Sequence, residues 1–197
     1  MTSTWHPNDW PPEELAAGSI TLVRYRGEEA EDLRLAVNES LDHLRPWMPW
    51  AAEPTEQDQA DFVRRASEQW DKGESFSYWI REEENGQLVG AVGLHPRVGP
   101  GAIEIGYWVH VGRVGRGYAT AAAEALTTAA FEMSGVRRVE IHCDEANVAS
   151  AAIPRRLGFH LDRVVEDEIE APGETGRGMV WVVDADSWRA RCAATAE

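Results

Sequence analysis

The sequence predicts a mixed α/β domain, and three observations support that prediction. The chain has 197 residues, which fits one domain, and 43% of them are hydrophobic, enough to build a core. Segments with the two-residue period of strands alternate with segments that have helical spacing. The predicted order is β-α-α-β-β-β-α-β-α-β-β, and a helix that joins two strands indicates a parallel pair.

The first part of the chain predicts one strand and two helices. Residues 19–26 alternate apolar and polar side chains, as a half-buried strand does, and residues 28–44 have apolar side chains close to helical spacing. Thr55 can cap a second helix, which ends at Gly73. Residues 45–52 contain two prolines and two tryptophans, which predicts a compact turn between the helices.

A hairpin and a third strand come next. Asn85 and Gly86 suit a tight turn between strands at residues 76–83 and 87–95, because such turns need positive φ angles. A loop rich in proline and glycine then leads to a strand at residues 102–111.

The rest of the chain alternates helices and strands. An alanine-rich helix at residues 118–134 ends at Gly135, a typical C-terminal glycine. Four further elements are predicted, namely strands at residues 137–144, 159–165 and 179–183 and a short helix at residues 147–157.

We expect three regions: an irregular N-terminal arm (residues 1–17), the folded domain (residues 18–184) and an alanine-rich C-terminal tail (residues 185–197). No apolar run reaches the roughly 20 residues that span a bilayer, and the N-terminus has no apolar export signal. The two cysteines form no CxxC motif and no Cys/His pair at ligand spacing. We therefore expect a cytoplasmic protein without a metal site or a disulfide framework.

The charge of the chain restricts its partners. With 34 acidic and 19 basic residues, its formal net charge is −15. Such a chain repels phosphates, so nucleic acids and anionic membranes are not expected as partners, whereas a cationic substrate is compatible with it. Residues 112–156 are an exception, because six arginines stand against five acids there.

That exceptional segment begins with a glycine-rich turn between a predicted strand and a predicted helix. Gly112, Gly115 and Gly117 allow the backbone to approach a ligand and to direct successive N–H groups at it, and the helix N-terminus adds partial positive charge. The turn predicts a pyrophosphate cradle, although a tight turn without a ligand would also need glycines. The spacing matches neither GxxxxGK[ST], which excludes a P-loop enzyme, nor GxGxxG.

Several motifs in order resemble the GNAT acetyltransferases, in particular the RimJ/RimL-like branch of ribosomal-protein N-terminal acetyltransferases. The resemblance covers roughly residues 18–184. The motifs are SLDHLRPWMPW (residues 40–50), IEIGYWVH (residues 103–110), GRGYAT (residues 115–120), N-x-x-S (Asn147 and Ser150) and LGF (residues 157–159).

This resemblance implies a fold and a reaction. The expected fold is a mixed, mostly antiparallel sheet that splays between the fourth and fifth predicted strands and is flanked by helices. Acetyl-CoA would donate the acetyl group directly to a primary amine in a ternary complex, with no metal. Backbone N–H groups near Trp108 and Val109 would stabilise the thioester oxyanion. CoA would contact Trp108, Val109, Val111, Val114, Gly115, Arg116, Gly117, Tyr118, Ala119, Thr120, Asn147, Ser150 and Arg156.

The sequence departs from the family pattern at three positions. Val114 stands where the pyrophosphate motif usually has Gln or Arg, and Ala121 stands where an acid is common. Pro154 replaces the tyrosine with which many of these enzymes protonate the departing thiolate. The RimL-like branch is similar to this chain in having a serine at the position of Ser150, which implies Ser150 as the acid.

Amide formation also requires a base, because the attacking amine must be neutral. Glu104 is the first candidate, since it precedes the segment that should splay; a surface residue or an ion pair with arginine is the alternative interpretation. His142 and His110 are further candidates for the base. Cys143 is interpreted as a buried structural thiol rather than as a nucleophile.

The acceptor pocket should form between the first two helices and the loop between the last two strands. Trp47, Trp50 and Trp79 are candidate walls, with core packing as the alternative. The acidic loop at residues 166–178 is either a solvated surface or a feature that attracts peptides, polyamines or aminoglycosides. A non-catalytic acyl-CoA-binding or sensing module is the alternative function, and exposed tryptophan-rich segments favour a homodimer.

Overall fold

The computed structural model describes residues 9–26 and 30–195. The strands are β1 (Glu14–Ala17), β2 (Ile20–Arg24), β3 (Phe76–Glu82), β4 (Leu88–His95), β5 (Ala102–Val109), β6 (Arg138–Asp144), β7 (His160–Glu166) and β8 (Arg177–Asp184). The helices are α1 (Ala30–Leu44), α2 (Glu56–Asp71), α3 (Tyr118–Glu132), α4 (Val148–Arg156) and α5 (Ala185–Thr195), with short 3-10 turns at Pro49–Ala51 and Val111–Arg113.

The eight strands form one sheet in the order β1-β2-β3-β4-β5-β6-β8-β7. All neighbours are antiparallel except β5 and β6, which are parallel because α3 carries the chain back between them. Their pairing covers only the three steps from Ala102–Arg138 to Glu104–Glu140, and the strands then diverge. The mostly antiparallel sheet that splays between the fourth and fifth predicted strands is confirmed; these strands are the fifth and sixth of the structure.

Apolar side chains cover both faces of the sheet. On one face, α3 buries Leu126 against Ile103 of β5 and Ile141 of β6. On the other face, α1 and α2 pack Val37 and Val63 near Trp79 of β3 in a second cluster. This two-sided burial agrees with the periodic patterns in the sequence.

Local capping explains where the long helices begin. The Thr55 side chain accepts a hydrogen bond from the Asp58 N–H at 3.1 Å, and Asp58 accepts one from the Thr55 N–H at 3.1 Å, which is a capping box. The predicted cap at Thr55 is therefore confirmed. Helix α3 begins after Gly117, whose left-handed φ of 83° turns the chain into the helix.

Two elements were not predicted. Within the expected irregular arm, β1 pairs with β2 along four residues; its sequence, ELAA, shows no clear apolar alternation. Within the expected tail, α5 packs onto the domain through Trp188, which is 2% exposed. The Trp188 Nε1–H donates to Thr128 Oγ1 at 3.1 Å, and its ring makes an edge contact with Phe159. Tertiary contacts therefore form both elements where local pattern was weak.

None of the helices within residues 9–26 and 30–195 combines the length and the apolar character that crossing a membrane requires.

We predict that α5 stabilises the domain through its tryptophan. Trp188→Ala should lower the free energy of unfolding by about 3 kcal/mol, because it removes a buried ring and the partner of Thr128. Urea denaturation would measure the change. Arg189→Ala, on the exposed side of α5, is the control and should change stability by less than about 0.5 kcal/mol. Equal stabilities of the two variants would contradict the prediction.

Candidate active site

The candidate site lies where β5 and β6 separate. Beyond the Glu104–Glu140 step, the edge of β5 that faces β6 has no strand partner. A cavity of about 1010 Å³ opens there. Besides the two strands, it is lined by residues 47–50 between α1 and α2 and by acidic side chains from the loop between β7 and β8.

Side chains alternate in direction along a strand, so this opening has two chemically different sides. Glu104 and Trp108 of β5 and His142 of β6 lie toward α1 and α2, and they define what we call the carboxylate–imidazole side. Tyr107 and Cys143 lie toward α3 and α4, and with Ser150 they define the hydroxyl–thiol side.

Glu104 is an ion-paired carboxylate, 6% exposed, rather than a free base. Arg97 donates from Nε to Glu104 Oε2 at 2.7 Å and from Nη2 to Glu104 Oε1 at 2.6 Å. Burial by itself would raise the pKa of this carboxyl, but the hydrogen bonds and charge of Arg97, together with His142 and His95, hold it below its ordinary value. Glu104 therefore stays charged at neutral pH.

His142 lies between two carboxylates. Its Nε2 is 2.7 Å from Glu140 Oε2, and its Nδ1 is 4.0 Å from Glu104 Oε2. Glu140 is fully buried, and its other oxygen accepts a hydrogen bond from Arg138 Nε at 2.6 Å. The His142 side chain is 33% exposed and lines the cavity.

The other two histidines near the site are already engaged. His110 is 2.9 Å from Glu39 Oε2 through Nε2, and its Nδ1 accepts the Gly112 N–H. His95 Nδ1 is 2.8 Å from Ser75 Oγ, and burial, helped by the charge of Arg97, lowers the pKa of His95 to about 4. Within the described part of the chain, no three His, Cys, Asp or Glu side chains stand close enough to hold a metal ion.

The hydroxyl–thiol side joins residues from two strands and a helix. The Tyr107 hydroxyl is 3.2 Å from Ser150 Oγ, and burial raises the pKa of Tyr107, so the phenol stays protonated. Cys143 is half-buried, and burial raises the pKa of its thiol as well, which disfavours a nucleophilic thiolate. Asn147 caps α4, because its Oδ1 accepts the Ser150 N–H at 3.0 Å.

The glycine-rich turn leaves a row of backbone N–H groups without protein acceptors. Gly115 and Gly117 have φ angles of 76° and 83°, which lie in the left-handed region. None of the described residues accepts a hydrogen bond from the N–H groups of residues 114–120. The preceding Val111 N–H, by contrast, donates to Ser40 Oγ. The free N–H groups are available for an anion at the start of α3.

Charged side chains surround this turn. Glu82, which is 6% exposed, accepts a hydrogen bond from the Tyr118 hydroxyl at 2.7 Å, and this bond is the main reason why the Glu82 pKa is lowered. Glu82 also pairs with Arg113 and Arg116 at 3.0 and 3.5 Å.

The remaining residues that the sequence assigned to CoA lie at the end of β5, in the glycine-rich turn and on α3 and α4. Arg156 of α4 donates to Thr120 Oγ1 at 3.3 Å, so the two helices meet beside the turn. Val114 is exposed, and Ala119 is partly accessible. Val109 is half-buried at the end of β5. The structure thus brings Arg156 beside Thr120 at the start of α3, a short distance along the chain from the end of β5.

Two of the three tryptophans predicted as pocket walls line the cavity. Trp47 and Trp50 do so, and Trp50 makes an edge contact with Trp108 at a centroid distance of 6.2 Å. Trp79 does not, because it is fully buried and stacks on Tyr25 at 3.5 Å. For Trp79 the structure therefore supports core packing, one of the two interpretations of the sequence.

The acidic loop between β7 and β8 faces the cavity and is tied down at two points. Asp144 accepts hydrogen bonds from the N–H groups of Thr175, Gly176 and Arg177, and these bonds with that of Ala146 outweigh the effect of burial and lower the Asp144 pKa. A few residues earlier, the loop connects to the α1–α2 segment. The Gly173 N–H donates to Pro46 O at 2.9 Å, and a Cβ at Gly173 would lie 2.6 Å from that oxygen. The loop and the α1–α2 segment together bridge one end of the cavity.

Three functional residues were missed from the sequence. Tyr107 lies within the IEIGYWVH motif, two residues before Val109, but nothing in the sequence places it beside Ser150. Arg97 and Glu140 belong to no recognised motif, although their partners are near in sequence: Glu140 bonds His142 two residues along β6, and Arg97 bonds Glu104 across the loop between β4 and β5.

An open α/β sheet that splays beside a glycine-rich strand-to-helix turn defines the class of CoA-dependent acyltransferases. The sequence matches the family model described as acetyltransferase (GNAT) domain over residues 19–160. The chain belongs to this family, and it is an acetyl-CoA-dependent N-acetyltransferase. YdaF of Bacillus subtilis (strain 168), named for a proposed ribosomal N-acetyltransferase activity, is 30% identical over 158 residues, which are 78% of this chain and 85% of YdaF.

Solved structures share the fold at lower sequence identity. MccE in complex with acetyl-CoA and AMP has a TM-score of 0.80 at 21% identity and covers 90% of this chain and 99% of its own. RimL, a ribosomal L7/L12 alpha-N-protein acetyltransferase in complex with coenzyme A, has a TM-score of 0.80 at 20% identity, with 89% and 99% coverage. RimJ of Mycobacterium smegmatis in complex with CoA-disulfide has a TM-score of 0.80 at 21% identity, with 95% and 96% coverage.

Proposed function

We propose that this acetyltransferase acts on the α-amino group of a peptide or protein, with acetyl-CoA in the β5–β6 opening. The observation that carries the proposal is the two-sided chemistry of the opening. Groups that attract and deprotonate an amine lie on the carboxylate–imidazole side, and hydroxyl groups that can protonate a thiolate lie on the hydroxyl–thiol side. One thioester placed between them would meet both requirements of amide formation.

The binding mode of CoA is part of this proposal. Pantetheine would run along the unpaired edge of β5, near Trp108 and Val109. Its amide would meet the side-chain Nδ2–H group of Asn147, since Oδ1 caps α4. The pyrophosphate would accept from the free N–H groups of residues 114–120, with Arg116 and Arg156 beside it.

We predict that acetyl-CoA binding depends on the left-handed backbone of the glycine turn. Gly117→Ala should raise the Kd for acetyl-CoA at least about tenfold, because a side chain at this φ costs about 1–2 kcal/mol and the N–H groups would turn away. Isothermal titration calorimetry would measure the Kd. Gly135→Ala is a matched control: Gly135 has the same φ of 83° and equally open surroundings, but it follows the other end of α3. An equal rise in Kd in both variants would contradict the proposed cradle.

In the proposed reaction, the neutral amine forms a C–N bond to the acetyl carbonyl carbon while the C–S bond breaks. Ser150 Oγ–H would donate a proton to the leaving sulfur while the Tyr107 hydroxyl hydrogen-bonds Ser150, and the proton that the nitrogen loses as the amide forms would return to Ser150 through water. Backbone N–H groups near Trp108 and Val109 would stabilise the carbonyl oxygen as it becomes negative. The acetyl group passes directly to the amine, so Cys143 takes no part as a nucleophile.

Glu104 has a different role from that of a strong base in this proposal. Transfer of a proton from an α-ammonium (pKa about 8) to an ordinary glutamate (pKa about 4.3) is uphill by about 5 kcal/mol. The ion pair with Arg97 lowers the Glu104 pKa and makes the transfer less favourable still. We therefore propose that the Glu104 carboxylate attracts and orients the acceptor ammonium, while a neighbouring group takes the proton.

We predict that Ser150 acts in the chemical step rather than in binding. Ser150→Ala should lower kcat about 100-fold, the usual size of a lost acid, and should leave the Kd for acetyl-CoA within about twofold. Steady-state release of coenzyme A and calorimetry would measure the two quantities. Ser134→Ala, at the exposed end of α3, is the control. A wild-type kcat in Ser150→Ala would remove this residue from the mechanism.

The acceptor is proposed from the shape and charge of the cavity. The bridge from Gly173 to Pro46 limits entry, which favours a chain end over a side chain in the middle of a protein. Exposed acids such as Glu168 and Glu170 line the cavity and would attract a positively charged N-terminus. The names of YdaF and RimL point in the same direction. We place the enzyme in the cytoplasm, where acetyl-CoA and newly made proteins are available.

An acceptor panel would test the proposed function. Purified enzyme and acetyl-CoA would be incubated with hexapeptides that begin with a free serine or alanine, with an Nα-acetylated hexapeptide that contains one lysine, and with spermidine. We predict a mass increase of one acetyl group on the free N-termini and little on the blocked peptide. Faster acetylation of spermidine than of either free peptide would overturn the peptide assignment and favour a small-molecule amine.

We propose that two copies associate through β7, an edge strand whose seven residues are all exposed. Leu161, Val164 and Val165 place apolar side chains on this edge, where a second copy could cover them. We predict a sedimentation mass near twice the 21.9 kDa of one chain, and Val164→Lys should return the mass to that of one chain. A single-chain mass of the unsubstituted protein at high micromolar concentration would contradict this proposal.

A further inference from the structure

The ring of His142 has a defined orientation, because a buried carboxylate holds one of its nitrogens. Glu140 is fully buried, and as a carboxylate paired with Arg138 it accepts hydrogen bonds; its Oε2 is 2.7 Å from His142 Nε2. In a neutral ring, Nε2 therefore carries the hydrogen and Nδ1 has the free lone pair. Arg138 bonds the other oxygen of Glu140 and keeps the carboxylate in place.

The free nitrogen of His142 faces the region where the acceptor must arrive. Nδ1 is 4.0 Å from Glu104 Oε2, which is too long for a strong direct hydrogen bond. Both Glu104 oxygens are already bonded to Arg97. Since His142 is one-third exposed and lines the cavity, an amine or a water can approach Nδ1 next to the negative charge of Glu104.

We propose that His142 Nδ1 takes the proton from the acceptor ammonium, and that Glu140 is the positioning residue that holds the ring. This inference rests on the acetyl-transfer function proposed above. The ammonium loses a proton to Nδ1, and its nitrogen lone pair then forms the C–N bond. The resulting imidazolium keeps its Nε2–H bond to Glu140 and directs Nδ1–H toward Glu104, and it later releases the proton to water.

Neighbouring groups are less suited to this role. The nitrogens of His110 are used by Glu39 and by the Gly112 N–H. His95 bonds Ser75 through Nδ1, and burial lowers the pKa of His95 to about 4, so its ring holds a proton poorly at neutral pH. His142, by contrast, has its Nδ1 4.0 Å from Glu104 Oε2 and lines the cavity.

Charged groups from several elements face His142. On β6 they are Arg138, Glu140 and Asp144, with the thiol of Cys143 next along the strand. From β4, β5 and the loop between them, Glu104, Arg97 and His95 face the same region, while β8 places only Val180 opposite. The loop between β7 and β8 adds acids that line the same cavity, namely Asp167, Glu168, Glu170 and Glu174.

The pH dependence of kcat tests the proposal with the free-serine hexapeptide as acceptor. In the unsubstituted enzyme, kcat should rise with pH below the value at which a free α-amine loses its own proton, about pH 8. His142→Ala should lower kcat at pH 7 about 100-fold and move the rise toward about pH 8, where an α-amine loses its own proton. Added imidazole should restore at least about a tenth of the lost activity. His160→Ala, an exposed histidine on β7, should match the unsubstituted enzyme.

Glu140→Gln separates positioning from simple structural support. It should lower kcat about tenfold with KM for the peptide changed less than about threefold, and it should shift the rise of kcat to lower pH, because the positive ring loses a compensating charge. A purely structural role would lower activity without moving the pH profile. A wild-type profile in His142→Ala, or no shift in Glu140→Gln, would overturn the proposal.

A second measurement needs no turnover. In protein labelled with ¹⁵N at histidine, the ring-nitrogen shifts of His142 should show the Nε2–H tautomer above pH 8, and Glu140→Gln should remove that preference. The Nδ1–H tautomer in the unsubstituted protein would overturn the proposal. If the unsubstituted enzyme acetylates none of the amines in the panel, the proposed function fails, whereas the tautomer still decides whether Glu140 holds the ring as inferred.

Discussion

The site depends on how two carboxylates are held at the point where the sheet opens. Glu104 and Glu140 occupy paired positions at the last step of the β5–β6 ladder, and both are almost completely buried. Two buried negative charges at adjacent positions are unfavourable without compensation. Arg97 and Arg138 supply the compensating positive charge through their hydrogen bonds to Glu104 and Glu140. His142 lies between the two acids. The opening therefore begins in a region of matched charge.

The alternation of side chains along a strand then separates the chemistry into two sides. Because β5 and β6 diverge, side chains on both faces of the sheet become accessible at the same opening. Even-numbered positions such as Glu104 and His142 meet the acceptor cavity, whereas odd-numbered positions such as Tyr107 and Cys143 meet Ser150 of α4. In the proposed reaction, the group that accepts a proton and the group that donates one can thus lie on opposite sides of the bound thioester, without direct proton transfer between them.

Well-packed elements fix the positions of the two ends of the site. Helix α3 starts at the glycine turn, and Ala122, Ala123 and Leu126 are completely buried against the sheet. The free N–H groups of the turn are therefore fixed relative to β5. At the proposed acceptor end, Asp144 is the last residue of β6 and accepts hydrogen bonds from the N–H groups of the acidic loop. One strand, β6, thus carries both a residue of the proposed proton transfer and the anchor of the cavity wall.

Much of this architecture could be predicted from the sequence by local rules. The strands and helices of the central domain are predicted by apolar periodicity, and the glycines of the turn indicate a left-handed backbone at the start of α3. The family motifs added the splay and the CoA-binding segment. Where the local pattern is weak, the sequence did not predict the element. The four residues of β1 form a strand by pairing with β2, and the alanine-rich α5 is held by the burial of Trp188.

The sequence by itself determined most of the elements and the glycine turn, because each depends on neighbours within a few residues, and its family motifs indicated the class of reaction. Only the tertiary structure decided which polar side chains meet. His142 of β6 lies 4.0 Å from Glu104 of β5, and Tyr107 reaches Ser150 across 43 residues of chain. It also decided that Trp50 lines the cavity while Trp79 lies in the core. Such pairings depend on the register and divergence of strands that are distant in sequence, which no local pattern encodes.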